Sequence, residues 1–314
     1  MDDNTTIEKE LLKTGVSRRD FMKYCGLITA ALGMSAGAIP KIAEAVMRKK
    51  RPSVVWLHFA ECTGCTEAFL RSTYPWVADV ILDTISLDYH ETIMAAAGQQ
   101  AEEILEETIK KNKGNFIAVA EGAIPTGEGG IYGQIAGRTL LEIGRKVLID
   151  SNPVAVICVG SCACFGGVQA AAPNPTEAKS VGEALNIKTI NIAGCPPNAI
   201  NIMATVMHYL LLKKFPDLDE YNRPLFAYGQ SVHDQCPRRA HFDNEEFVEE
   251  FGDEASMKGW CLRQLGCKGP ETFNNCPSVK FNDGTGWPIE AGHPCIGCSE
   301  PGFWDSLSPF YEAE

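Results

Sequence analysis

The 314-residue chain is poor in positive charge and has no long membrane-spanning run. Its 28 lysines and arginines are scattered and outnumbered by 40 acidic residues, which excludes the basic surface of a nucleic-acid-binding protein. The last apolar run, 200–212, is shorter than the roughly 20 residues that cross a bilayer, so we expect no transmembrane anchor. Cysteine is abundant instead, with 13 residues in a chain long enough to fold without disulfides.

The amino terminus has the pattern of a twin-arginine export signal. Ser17-Arg18-Arg19-Asp20-Phe21-Met22-Lys23 precedes a mildly apolar stretch, and Ala43-Glu44-Ala45 is a candidate cleavage site. The alternative is an amphipathic helix with a chance arginine pair. We predict that residues 1–45 are the signal and that the folded chain is exported to the periplasm. A cysteine-bound cofactor would then be inserted before the chain meets an oxidising compartment.

From Pro52 onward, β-rich apolar runs alternate with helical stretches, which predicts an α/β fold with a parallel sheet. The predicted strands are Ser53–Phe59, Val80–Ser86, Asn115–Ala120, Val154–Val159 and Thr189–Ile192. The predicted helices are Thr66–Ser72, Ala97–Lys111, Gln134–Leu148, Ser180–Leu185 and Asn198–Lys214. We place the sheet domain at 46–216. It is followed by a loop-rich domain, 217–314, with one helix at Glu245–Phe251.

Four cysteines follow predicted strands of the first domain. Cys62 and Cys65 follow the first strand, Cys162 the fourth and Cys195 the fifth. Because the carboxyl ends of parallel strands share one edge, we expect the four thiols to converge there. Such a set holds either zinc or a 4Fe-4S cluster, and one local Cys-x-x-Cys with two remote cysteines favours the cluster. A thioredoxin-like pair would leave Cys162 and Cys195 without a role.

The second domain contains a set of one imidazole and three thiols. His233 and Cys236 are three apart, and Cys261 and Cys267 are six apart. Replacing one thiolate by an imidazole removes a negative charge, which suits a cluster near the surface where an electron leaves. Histidine is also an ordinary surface residue, so spacing alone leaves this assignment open.

A third set has only three thiols, Cys276, Cys295 and Cys298. Between them lies Trp287-Pro288, and proline offers neither a side-chain ligand nor a backbone N–H. Three thiolates without a fourth ligand favour a 3Fe-4S cluster. Of the remaining cysteines, Cys25 leaves with the signal, and we interpret Cys158 and Cys164 as structural.

The motifs that carry these residues resemble those of the small subunit of periplasmic nickel-iron hydrogenases. They occur in one order along the whole chain: Glu61-Cys62-Thr63-Gly64-Cys65, Gly160-Ser161-Cys162, Gly194-Cys195-Pro196-Pro197, His233-x-x-Cys236-Pro237-Arg238, Cys261-x5-Cys267-Lys268-Gly269-Pro270 and Gly292-His293-Pro294-Cys295-x-x-Cys298. The resemblance implies a flavodoxin-like domain followed by a cluster-binding domain. It also implies two 4Fe-4S clusters and one 3Fe-4S cluster.

The resemblance assigns each set a place. It implies that Cys62, Cys65, Cys162 and Cys195 hold a proximal 4Fe-4S cluster. It implies that Cys276, Cys295 and Cys298 hold a medial 3Fe-4S cluster, and that His233, Cys236, Cys261 and Cys267 hold a distal 4Fe-4S cluster. The nickel-iron centre would belong to a separate large subunit, so no catalytic residue is expected in this chain.

The implied activity is that of a hydrogen:ferricytochrome c oxidoreductase, with this chain as the non-nickel subunit of a heterodimer. The expected acceptor is a soluble multihaem cytochrome c, and the formal charge of −12 suits docking to a basic carrier. Relatives with a membrane anchor continue beyond the last cluster motif, which leads us to expect a soluble enzyme here.

Two function classes compete with this interpretation. A stand-alone electron-transfer protein would purify fully loaded without a nickel-bearing partner, and a disulfide-framed or zinc-stabilised binding module would contain no iron. The cluster subunit of respiratory quinone reductases could share the first-domain thiols but would not explain the second domain.

Overall fold

The computed structural model describes residues 18–46, 51–72, 85–282 and 284–312. Its centre is a parallel sheet of five strands: β1 (Ser53–His58), β2 (Ser86–His90), β3 (Phe116–Glu121), β7 (Ala155–Val159) and β9 (Ile190–Ile192). Their order across the sheet is β2-β1-β3-β7-β9. Counted along the chain this is the flavodoxin-like order 2-1-3-4-5. The predicted α/β fold is confirmed.

Helices of varied length surround and follow this sheet. They are α1 (Arg18–Ala31), α2 (Ile39–Val46), α3 (Gly64–Leu70), α4 (Gln99–Lys111), α5 (Leu140–Gly144), α6 (Gly160–Phe165), α7 (Val181–Leu185), α8 (Ala199–Leu212), α9 (Leu225–Tyr228), α10 (Arg239–Asp243), α11 (Glu254–Lys258), α12 (Cys276–Val279) and α13 (Phe303–Ser306). Short 3-10 turns lie at Ala36–Ala38, Gly127–Gly130, Val168–Ala170 and Arg263–Leu265. None of the described helices is long and apolar enough to cross a membrane.

Consecutive side chains of the strands point to opposite faces of the sheet, and helices cover both faces, so the side chains on each face are buried. Val55 and Ala118 pack with one core that includes residues of α4, α5 and α7. Trp56 and Val119 pack with the other, which includes residues of α3 and α8. Continuous apolar strands therefore predicted the layered arrangement correctly.

Helix α8 carries apolar side chains on two sides, and both of these sides are covered. Ile202 and Met203 pack on the sheet, whereas Met207 packs against Cys25 and Ile28 of α1 and Ile42 of α2. The described part of the predicted export signal thus forms two helices that lie on the sheet domain. No sequence pattern indicated this contact, and residues 1–17 of the signal lie outside the described part.

Two small antiparallel pairs lie beside the main sheet. β4 (Ile124–Pro125) pairs with β8 (Ala178–Lys179), and β5 (Gln134–Ile135) pairs with β6 (Arg138–Thr139). The predicted start of a helix at Gln134 is wrong, because residues 134–139 form this second hairpin. Helix α5 begins only after Thr139, whose side chain forms a capping box with Glu142, and it continues as a π-helix over Arg145–Asp150.

Two other predicted elements need correction. The strand predicted at Val80–Ser86 lies mostly outside the described residues, and the second strand runs over Ser86–His90 instead. The helix predicted at Glu245–Phe251 is wrong. There the Val248 N–H donates to the Cys261 carbonyl at 2.9 Å, and the Cys261 N–H donates to the Glu246 carbonyl, so this backbone pairs with a distant segment.

The second half of the chain has a small core in which cysteines take part. Val232, Val248, Leu262 and Trp287 pack with Cys267 and Cys276. The connecting helices α9 to α13 are each one turn or slightly longer. The boundary at 216–217 between the two predicted domains stays a prediction.

Candidate metal centres

The structure places the four cysteines of the first set at one edge of the sheet. Cys62 follows β1 and Cys65 lies in the first turn of α3, whereas Cys162 lies in α6 directly after β7. Cys195 follows β9. All of these positions lie beyond the carboxyl ends of parallel strands, where ligands of such sheets bind.

The four thiols are close enough to interact electrostatically. Burial raises the pKa of Cys65 well above its ordinary value, and charges on Glu121, Cys162, Cys195 and Cys62 raise it further. Burial likewise raises the pKa of Cys162 to about 11. Four thiolates could not share this edge without positive charge among them, which is what the iron ions of a cluster supply. The donor set therefore fits a cysteine-ligated cluster.

Because Gly160 has no side chain, the sulfur of Cys65 can lie directly against its backbone. This residue stands between β7 and Cys162 with φ of +85°, and a Cβ atom built on it would lie 2.4 Å from the Cys65 Sγ. Only glycine combines that backbone conformation with that close approach. The motif Gly-Ser-Cys thus places the thiols of two different strands side by side.

Glu121 is a functional residue that the sequence did not reveal. Its side chain, 1% exposed at the end of the central strand β3, accepts hydrogen bonds from the backbone N–H groups of Cys65 and Thr66 at 3.0 and 3.2 Å. It also accepts from the Thr66 hydroxyl at 2.5 Å and from the Trp56 indole at 3.1 Å. The carboxylate fixes the first turn of α3 and with it Cys65. Its partners are 55 to 65 residues away in sequence, so no local pattern marks it.

The three cysteines of the medial set also come together. Burial raises the pKa of Cys276 well above its ordinary value, and Cys298 and Cys295 add to the shift. The three residues line one cavity of about 1000 Å³ that also reaches Pro288 and Cys195 of the first set.

The distal set lines a separate small cavity. His233, Cys236, Cys261 and Cys267 all contribute to its wall. The backbone N–H of His233 donates to the Gly269 carbonyl at 3.1 Å, and the ring of Phe242 meets the imidazole edge-on with centroids 4.6 Å apart. The imidazole and the three thiols thus share the wall of one cavity, as the spacing of the sequence allowed.

Hydrogen bonds connect one set to the next. The hydroxyl of Ser161, the residue directly before Cys162, donates to the Cys298 carbonyl at 2.5 Å, which joins the proximal and medial sets. The Cys295 N–H donates to the sulfur of Cys267 at 3.4 Å, which joins the medial and distal sets. The three sets therefore form a continuous series from the sheet edge into the second half of the chain.

The remaining cysteines and histidines have other surroundings. Cys158 is fully buried in β7 and its carbonyl accepts from the Cys164 thiol at 3.5 Å. No disulfide joins any of the cysteines, all of which lie among the described residues. His58, which no sequence motif singled out, approaches Glu61 at 3.2 Å and His90 at 3.4 Å. Within the described residues, no three Cys, His, Asp or Glu side chains lie close enough to hold a single metal ion.

Two protein families match different parts of the chain. The family described as "NADH ubiquinone oxidoreductase, 20 Kd subunit" matches residues 62–209. The family that describes the C-terminal part of the NiFe/NiFeSe hydrogenase small subunit matches residues 228–311. The first match covers the proximal set, and the second covers the medial and distal sets.

Individual proteins are similar over nearly the whole chain. The periplasmic [NiFe] hydrogenase small subunit of Solidesulfovibrio fructosivorans is 55% identical over 305 residues, covering 97% of this chain and 96% of the relative. Small subunit 1 of the periplasmic [NiFe] hydrogenase of Nitratidesulfovibrio vulgaris is 55% identical over 309 residues, covering 98% and 96%. A solved structure of the reduced, active Ni-Fe-Se hydrogenase from Desulfomicrobium baculatum superposes with a TM-score of 0.78 at 35% identity, covering 84% of this chain and all of that one.

Proposed function

The chain belongs to the small subunits of periplasmic [NiFe] hydrogenases, and on that premise we propose that it conducts electrons through three iron-sulfur clusters between the large subunit and an external acceptor. The observation that carries the proposal is the series of three cysteine-rich sets, each joined to the next by a hydrogen bond. A family match restricted to 62–209 leaves the medial and distal sets unexplained, so a quinone-reductase subunit is the weaker interpretation.

Each set is proposed to hold the cluster that its donors fit. Cys62, Cys65, Cys162 and Cys195 would hold the proximal 4Fe-4S cluster, and His233, Cys236, Cys261 and Cys267 the distal one. Cys276, Cys295 and Cys298 would hold the medial 3Fe-4S cluster. When bound, such clusters take up and release single electrons.

The chain's own residues fix and shield these sites. Glu121 and Gly160 position Cys65, while the Cys295 N–H donates to the sulfur of Cys267 in the neighbouring set. Hydrogen bonds to sulfur and burial are the means by which a protein adjusts a cluster's potential. In the isolated chain Cys62 and Cys195 are exposed, which supports a large subunit that shields the proximal edge.

The acceptor and the route of export are further parts of the proposal. The formal charge of −12 supports a basic carrier such as a soluble multihaem cytochrome c, because complementary charge raises the encounter rate. Export through the twin-arginine pathway is supported by the Arg18-Arg19 motif and by the periplasmic location in the relatives' names.

Reduction by hydrogen tests the proposal. The chain is purified anaerobically with its large subunit, exposed to H2, and followed by visible absorbance and EPR. We expect a nickel-bearing partner to copurify and H2 to reduce all clusters of the unmodified enzyme. The matched control is Cys164→Ala, two residues from the proposed ligand Cys162, and its clusters should all be reduced as well. Cys162→Ser should lose proximal reduction. A loaded chain that purifies without nickel would indicate a stand-alone carrier, and a colourless one a zinc-stabilised module.

A further inference from the structure

Arg223 is a buried cation that joins two distant parts of the chain. Its side chain is 3% exposed, and its Nε donates to Asp219 Oδ2 at 2.8 Å. The Nη1 atom donates at 2.8 Å both to Glu300 Oε1 and to the Ser299 carbonyl. Although burial opposes the positive charge, the two carboxylates raise the pKa of Arg223 above its ordinary value. The guanidinium is thus held charged between them.

The Glu300 side of this network continues to the loop that carries Cys298. Glu300 Oε1 also accepts from the Phe273 N–H at 2.7 Å, and the Ser299 hydroxyl donates to the Phe273 carbonyl at 3.1 Å. These bonds fix the two residues that directly follow Cys298. From the sheet side, the Ser161 hydroxyl donates to the Cys298 carbonyl at 2.5 Å.

The network also contacts the segment that leads to the proximal set. Arg223 lies 5.3 Å from the ring of Tyr228, whose hydroxyl donates to the Ala193 carbonyl at 2.7 Å, two residues before Cys195. Arg223 therefore lies at the junction between the proximal and the medial cysteines.

Two of the three charges in this network are negative. A positive Arg223 between Asp219 and Glu300 leaves one net negative charge in a buried region, where charges are weakly screened. Of the two carboxylates, Glu300 is the one on the loop that carries Cys298: it follows Cys298 by two residues, and its Oε1 accepts from Arg223 and from the Phe273 N–H. Adding an electron beside a fixed negative charge is unfavourable, so this charge lowers a neighbouring reduction potential.

We propose that the Arg223–Glu300 pair is a positioning and potential-setting element for the medial cluster, an inference that rests on the proposed function. Glu300 holds the medial potential down through its charge, and Arg223 holds Glu300 and the Cys298 loop in place. Neither residue is a ligand, and both act through Cys298.

Redox titration of the 3Fe-4S EPR signal in the complete two-subunit enzyme tests this role. Glu300→Gln keeps the shape and an acceptor oxygen but removes the charge, so the medial midpoint potential should rise. Asp219→Asn removes the charge on the far side of the guanidinium and should give a smaller rise. Glu106→Gln is the matched control, because Glu106 pairs with Arg138 and Lys146 on the sheet domain, and it should give no shift.

Each outcome decides the inference. If Glu300→Gln binds its clusters and its medial midpoint potential is unshifted, the inference is overturned. If Glu300→Gln does not bind the medial cluster, an unshifted medial potential in Asp219→Asn overturns the inference instead. Selective loss of medial iron in both variants, with proximal and distal iron retained, supports the positioning role, whereas loss of all iron in both overturns it as a general folding effect. If the unmodified enzyme has no 3Fe-4S signal, the proposed function fails instead.

Discussion

Gly160→Ala should remove the proximal cluster while leaving the rest of the chain folded. The new Cβ would lie 2.4 Å from the Cys65 Sγ, whereas non-bonded heavy atoms approach to about 3.5 Å, so the sulfur must move by roughly 1 Å. Metal–ligand distances tolerate about 0.2 Å. The displacement is several times larger than this, and Cys65 should cease to be a ligand.

Backbone strain must be separated from this displacement. Alanine at a φ of +85° costs about 1–2 kcal/mol by itself. Gly137 supplies the control, because its φ is +76° and no atom lies within 4 Å of a Cβ built there. Gly137→Ala therefore carries the strain without the contact with a cysteine.

Iron analysis and EPR distinguish the two variants. Three clusters of four, three and four irons give about 11 irons per chain, and Gly160→Ala should retain about 7, with no reducible proximal signal. Gly137→Ala should retain all of them and lose only about 1–2 kcal/mol of stability. Full iron and an unchanged proximal signal in Gly160→Ala would refute the assignment of Cys65 and the geometry around it.

Three further substitutions test separate parts of the structure. Pro288→Cys adds a thiol to the wall of the medial cavity, so a fourth iron should bind and the oxidised 3Fe-4S EPR signal should disappear. Pro288→Ala, the control, should retain the signal. A 3Fe-4S signal that persists in Pro288→Cys would contradict the medial assignment. Glu121→Gln puts an amide donor among four hydrogen-bond donors, so the free energy of unfolding in denaturant should fall by about 1.5–3 kcal/mol. The control Glu128→Gln, at an exposed position, should lower it by less than about 0.5 kcal/mol. Equal losses would argue against a stabilising role of the buried Glu121 carboxylate. Ile28→Asp places a charge in the contact between α1 and α8. In the chain that still carries its predicted signal, trypsin should therefore cleave the 18–46 segment roughly tenfold faster or more, while Met22→Asp on the exposed side of α1 should not change the rate; equal rates would show that the helix is not docked.

Most of the secondary structure that could be predicted followed from patterns among residues close in sequence. Runs such as Val154–Val159 are apolar throughout because both faces of the sheet are covered, and this pattern predicts a buried parallel strand. The hairpin at Gln134–Thr139 was missed, although Ala136 and Gly137 both have positive φ and Thr139 with Glu142 marks a capping box. In the sequence, Gly137 and the Thr139-x-x-Glu142 spacing are the local signals of a turn followed by a helix start.

Contacts between distant residues could not be predicted from local patterns. Glu121 and Arg223 look like ordinary charged residues until their partners, far along the chain, are known. The contact of α1 and α2 with α8 was hidden for the same reason, since it depends on where α8 lies in the folded domain. For the first set, chain topology fixes the strand ends that carry the thiols, so their grouping follows from the sequence and stays a prediction, whereas the groups that orient those thiols come from elsewhere.

Mössbauer spectroscopy of the anaerobically purified two-subunit enzyme, with iron and acid-labile sulfide determined on the same sample, tests the central claim most directly. Two 4Fe-4S clusters and one 3Fe-4S cluster should give about 11 irons and about 12 sulfides for this chain, beside the iron of the large subunit's nickel-iron centre, and should resolve into two four-iron components and one three-iron component. A single cluster type, or a chain free of iron and sulfide, would contradict the account.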